Sequence, residues 1–179
     1  MDLLDRDLPR NDTYLQIAAD GVGPLNAETP ANEAAIGKLM PGYTTGSVLT
    51  GLETETIYAI ALFKPEGNGD NGAQVQVLHI VAGAGGKIRE IHGVSRHVMG
   101  PGGEKPGMTL AQTKVDPAAC RAGKGLWAGM AVCVSAAASN VQLLFSLPAD
   151  GMAHDQLPPR PQLERGELQR ILWRPRPIG

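Results

Sequence analysis

The sequence predicts an α+β fold, predominantly antiparallel β-sheet with two short helices, and three observations carry that reading. Apolar runs of strand length recur from residue 56 onward, joined by links too short for crossover helices. The 23 Gly and 14 Pro of this 179-residue chain cluster between those runs, as turns require. Two segments pair a capping residue with a short helical apolar face, and each precedes about three strands. The chain therefore reads as a flexible arm, residues 1–12, and a single globular domain over 13–179. The repeated helix-then-strands order makes 20–98 and 107–176 candidate modules.

Residues 14–18 (YLQIA) read as a short strand, and GVGPLNAETP then turns the chain. Thr29 is the expected N-cap of the first helix, with Pro30 at the first helical position. Ala34, Ala35, Ile36 and Leu39 form its apolar face, and Pro41-Gly42 stops it. A helix this short is marginal alone, so it must pack on something else. Residues 47–50 are a brief extended run. Strands follow at 56–64 (TIYAIALFK), 73–82 (AQVQVLHIVA) and 88–94 (IREIHGV), linked by the turn-rich PEGNGDNG (65–72) and GAGGK. Their short links predict a meander. The first two are apolar over much of their length, which predicts central positions with both faces covered.

MGPGGEKPG (99–107) holds four glycines and two prolines and is either a mobile loop or the junction between two halves. Thr109 caps a second helix through Leu110 and Ala111. Strands at 127–136 and 140–147 follow, then a polar, Pro-rich loop over 148–162. The last segment, GELQRILWRPR (166–176), has features of both helix and strand. A strand is favoured, because Arg170, Leu172 and Arg174 alternate with Ile171 and Trp173, and Pro175 and Pro177 prohibit helical continuation.

The formal net charge of -2 argues against nucleic-acid binding driven by charge. Residues 1–60 carry nine acids and three bases, residues 61–179 nine acids and thirteen bases, a division suited to a solvated surface. No apolar run reaches the roughly 18 residues of a membrane helix, and no charged-then-apolar leader opens the chain. The expectation is either a cytoplasmic protein or a mature domain without its leader.

Candidate chemistry is sparse. Of His79, His92, His97 and His154, the first two fall on adjacent strands, and Glu90 shares a strand face with His92. That trio falls short of a persuasive metal site, and no metal or cofactor is expected. Ser95 and Ser135 lie near strand ends outside any nucleophile elbow. GAGGKI and GPGGEKPG lack the spacing of phosphate-binding loops and read as turns. No catalytic residue is assigned. The Asn11-Asp12-Thr13 sequon matters only in a glycosylating host.

Cys120 lies in a polar loop and Cys133 in an apolar strand. They form either a disulfide, which would tether 116–125 to the second strand group, or two free thiols. One even pair favours an oxidising compartment.

GVGPLNAETPANEAAIGKLMPGY (21–43), GKIREIHGV (86–94), GMTLAQ (107–112), the two cysteines and LQRILWR (168–174) occur in an order that resembles the sigma-E-regulated bacterial lipoproteins of unknown function. The resemblance spans about residues 20–174. It implies a small, periplasm-facing, outer-membrane-anchored protein of the Gram-negative envelope, held by a lipid on an N-terminal cysteine that this sequence does not contain. It also implies that Cys120 and Cys133 are the family's disulfide pair. No activity, cofactor or catalytic residue comes with it. The functional expectation is a non-enzymatic structural or protein-binding role with another envelope protein as partner. The alternative is a small-ligand-binding protein or enzyme whose site assembles from loops 65–72, 99–107 and 148–162.

Overall fold

The computed structural model describes residues 14–65, 73–148 and 155–176. The expected arm, the Asn11 sequon, most of the 65–72 loop, part of the 148–162 loop and His154 lie outside the described residues. Among the described residues one sheet has eight strands: β3 (Thr44–Gly51), β4 (Thr56–Pro65), β5 (Gln74–Ala82), β6 (Ile88–Gly93), β8 (Cys120–Ala122), β9 (Met130–Val134), β10 (Val141–Ser146) and β11 (Glu167–Trp173). Their spatial order is β3-β4-β5-β6-β11-β10-β9-β8, and every neighbouring pair is antiparallel. Two sequential meanders thus meet at their last strands, β6 and β11. A smaller sheet contains β1 (Leu15–Ala18), β2 (Gly21–Val22) and β7 (Val98–Met99), with β1 parallel to β7. The fold is α+β, dominated by antiparallel sheet, as the sequence predicts.

The helices are short: α1 (Glu33–Leu39), α2 (Leu110–Thr113) and a single turn within the proline-rich loop, α3 (Arg160–Leu163). The α1 cap differs from expectation. The Asn32 carboxamide oxygen, not the Thr29 hydroxyl, accepts the Ala35 N–H at 2.8 Å. Thr29 is committed elsewhere, since its hydroxyl accepts the Asn26 N–H and its carbonyl accepts the Ile88 N–H. Pro30, bridged to Lys87, stays extended. The helix starts later, so its buried face is Ile36, with Met40 just beyond, while Ala34 and Leu39 are exposed. Thr109 does cap α2. Its hydroxyl accepts the Gln112 N–H, and the Gln112 side chain accepts the Thr109 N–H, satisfying two helix-end donors at once.

The 99–107 segment is a pinned junction. Glu104, 2% exposed, accepts the Gly102 N–H at 2.8 Å and the Ser135 hydroxyl at 2.6 Å. A Cβ on Gly100 would stand 2.4 Å from its carboxylate, so this turn requires glycine. The Gly107 N–H donates to the Leu168 carbonyl and fixes the far end.

One continuous core fills one face of the large sheet. Leu62, Leu78, Ile80, Ile91, Leu143, Phe145, Ile171 and Trp173 pack there against Ile17, Val22, Leu25, Ile36, Val98 and Leu110 from the small sheet and the helices. The Trp173 indole N–H donates to the Ala19 carbonyl, joining the layers. Full burial of both faces holds for the second half of β5, but Tyr58 of β4 stands 73% exposed.

Candidate functional site

The opposite face is concave. Thr50 on β3 and Arg170 on β11 are four ladder steps apart, roughly 19 Å in a flat sheet. Yet Arg170 Nη1 donates to Thr50 Oγ1 at 3.1 Å, so the sheet curls around this face. The two edges also meet. Arg121 of edge strand β8 grips the Glu53 carboxylate, in the β3–β4 turn, through Nη1 at 2.7 Å and Nη2 at 2.9 Å. The Lys124 N–H adds a bond to the same group at 2.8 Å. The Arg121 hydrogen bond outweighs partial burial and, with Lys124, holds the Glu53 carboxyl below the usual carboxylate range. The Trp127 indole donates to the Gly51 carbonyl, and the Leu126 N–H to the Glu53 carbonyl. Gly125, at φ +54°, permits this approach, since a Cβ there would lie 2.3 Å from the Glu53 carbonyl oxygen.

Between the edges runs a buried polar chain. His79 and His92 are direct cross-strand partners, as their strand positions suggested. The His92 Nε2–H donates to Glu90 Oε1 at 2.7 Å, which leaves Nδ1 to accept from Arg170 Nη1 at 3.1 Å. Similarly, the His79 Nε2–H donates to Gln76 Oε1, and Nδ1 accepts the Thr50 hydroxyl at 3.0 Å. These partners fit two neutral imidazoles. Burial, aided by the positive charge of Arg170, holds His79 down to about 4. Burial also lowers His92, and Arg170 lowers it further, against the pull of Glu90. Burial opposes ionisation of Glu90, but His92 and Arg174 outweigh it and leave the carboxyl below its ordinary range. Arg174 Nε reaches Glu90 Oε2 at 3.2 Å.

Beside this chain lies a cavity of about 460 Å³, lined by Gly51, Leu126, Trp127, Met130, Leu144 and Arg170 among others. Trp127 and Leu144 belong to a separate apolar cluster with Val132 and Leu172. The volume falls in the range of small-molecule sites, and the lining is mixed: Val94, Leu126, Trp127, Met130 and Leu144 are apolar, Gln169 and Arg170 polar. Arg170 has no carboxylate within ion-pair distance among the described residues. Burial alone lowers its pKa.

Cys120 and Cys133 are bonded, directly opposed across β8 and β9 with Cα atoms 4.0 Å apart. The disulfide secures the edge strand that carries Arg121. Ser95 accepts the His97 backbone N–H, and the Ser135 hydroxyl donates to Glu104. Among the described residues no group of three His, Cys, Asp or Glu side chains is arranged to hold a metal ion. In the His79–His92–Glu90 trio, Arg170 Nη1 takes up both His92 Nδ1 and the Thr50 hydroxyl that bonds His79. Sequence reasoning placed Arg170 on a strand face but missed its role. It missed Trp127, Glu53 and Glu104 as well. The one available signal was the i, i+2 spacing of Arg170, Leu172 and Arg174, which puts two cations on one face of a central strand.

The chain thus combines a curled antiparallel sheet, cinched at its edges, with a cavity on the concave face. The chain belongs to the family described as protein of unknown function (DUF1131), whose model matches residues 11–175. Among solved structures it is similar to the uncharacterized protein yfeY from Escherichia coli, with a TM-score of 0.65 and 20% identity over 90% of this chain and 99% of that one. That likeness shows a shared fold. No curated protein matches the chain.

Proposed function

We propose that this is a non-enzymatic, periplasm-facing envelope protein, one of the sigma-E-regulated lipoproteins its sequence resembles, and that it works by binding at the concave cavity. The observation that carries the reading is the cavity itself, lined by apolar side chains including Leu126, Trp127 and Met130 together with the guanidinium of Arg170. Family membership and the motif order support the envelope assignment, and the Cys120–Cys133 bond suits an oxidising compartment. A binding role is further supported by His79 and His92, whose four ring nitrogens are all committed to neighbours instead of being presented to a substrate. The site differs from the loop-built one expected for a ligand binder, because sheet residues, Val94 just after β6 and the β8–β9 link form it.

Calorimetric titration with octanol tests the proposal. Saturable binding to the wild type is expected, together with its loss in Gly51→Leu. The Cβ of that variant would meet Leu126 Cδ1 at an unstrained 3.8 Å and direct the side chain into the cavity. Binding that persists in a folded Gly51→Leu protein would place the site elsewhere.

A further inference from the structure

The chemistry of the ligand follows from what Arg170 lacks, an inference that rests on the cavity being the binding site. Arg170 is the cation at the centre of the concave face. Through Nη1 it donates both of its described hydrogen bonds, to the Thr50 hydroxyl and to His92 Nδ1. Both acceptors are neutral groups. The nearby carboxylate, Glu90, is already taken by His92 and Arg174 and flanked by Arg89 at 3.8 Å. Nε and Nη2 therefore have no partner among the described residues. Neither is sealed from solvent, since the one buried, unpartnered side-chain polar atom among the described residues is Asn140 Oδ1. A half-buried guanidinium without a counter-ion is matched best by an oxyanion, which its remaining N–H groups can grip side by side.

The apolar lining sets the rest of the ligand. Leu126, 55% exposed, and the half-buried Met130 offer apolar surface, with the nearly buried Trp127 and Leu144 behind them. The half-open cavity of about 460 Å³ suits a short apolar body, not a large polar one. We infer that the concave site takes an amphipathic anion, with its carboxylate or phosphate head on Arg170 and its apolar body against Leu126, Met130 and Trp127. The carboxylate of a fatty acid and the phosphate of a lipid-like monoester present the same head chemistry to the guanidinium.

The test is calorimetric titration of the full chain with octanoate, octyl phosphate, octanol and octyltrimethylammonium, which share one apolar body. At least one anion should bind about tenfold or more tightly than octanol, and the cation more weakly than octanol. The tighter of the two anions identifies the head group. In Arg170→Gln, octanoate and octyl phosphate should bind no more tightly than octanol. The wild-type comparison stands alone if that variant does not fold. Octanol binding as tightly as both anions would overturn this inference and leave the cavity as a binding site. No binding by any of the four would overturn both readings. An anion preference that survives Arg170→Gln would remove Arg170 from the assignment.

Discussion

The two faces of the large sheet use the same strands for opposite purposes. On β11, Ile171 and Trp173 enter a continuous apolar core, while Arg170 and Arg174, one residue out of phase, enter a polar chain. The core face is covered by the small sheet and the three short helices. Among the described residues the concave face is covered only by its own curl, and polar groups divide it between the cluster around Trp127 and a smaller one around Leu52, Ala59 and Val81. A period-2 strand delivers both from one sequence. What differs is the cost of burial. An apolar side chain gains by leaving water, whereas each buried polar group here needs its partners in place. The core face thus supplies stability, and the concave face is specified by hydrogen bonding and left open enough to bind.

Removing the phenyl ring of Phe145, fully buried in the core, should break the stronger face. Phe145→Ala is expected to cost about 3–5 kcal/mol in urea unfolding. Reduction of Cys120–Cys133 tests the closure of the concave edge. It should cost about 3 kcal/mol in the chain-entropy model, read as a fall in Tm with reductant, and alkylation before reduction should find both thiols blocked.

Acid sharpens the comparison, because the core face does not titrate. His79 has a folded pKa of about 4, below its ordinary 6.5, so the unfolded chain takes up that proton first. Its contribution to stability is complete above pH 6.5 and declines as the pH falls toward about 4, and His92 acts in the same direction. Glu90, with a lowered pKa, loses its contribution only at more acid pH, as its own carboxyl protonates. His79→Gln should flatten the stability slope in the 6.5-to-4 window by at most about 1.4 kcal/mol per pH unit, measured by urea unfolding across pH. An unchanged slope would mean that His79 is not buried neutral. The smallest effect is expected at Leu49 and Tyr58, an exposed cross-strand pair on the outer surface. Leu49→Ser should shift stability by about 0.5 kcal/mol or less.

Much of the core face was legible in the sequence, because local patterns determine it. The strands at 56–64, 73–82 and 88–94, the Thr109 capping box and the alternation in 166–176 all rest on neighbours within a few residues. The facing of His79 and His92 followed from adjacent strands alone. The concave site was not legible, because its contacts join residues about 70 to 120 positions apart: Glu53 to Arg121, Gly51 to Trp127 and Thr50 to Arg170. No local period encodes the curl of a sheet. The misplaced α1 cap has a different cause, since the Thr29 hydroxyl is taken by the local Asn26 N–H while Asn32 stands free to cap. Glu104 was hidden inside a glycine-rich stretch that gives no hint of a buried carboxylate.

The two tryptophans stand one on each face, and that makes the central claim directly measurable. In an NMR titration with octanol, the indole N–H resonance of Trp127 should move while that of Trp173, bonded to the Ala19 carbonyl beneath the core, stays fixed. Movement of the Trp173 resonance alone, or of neither, would contradict the assignment of the concave face as the binding site.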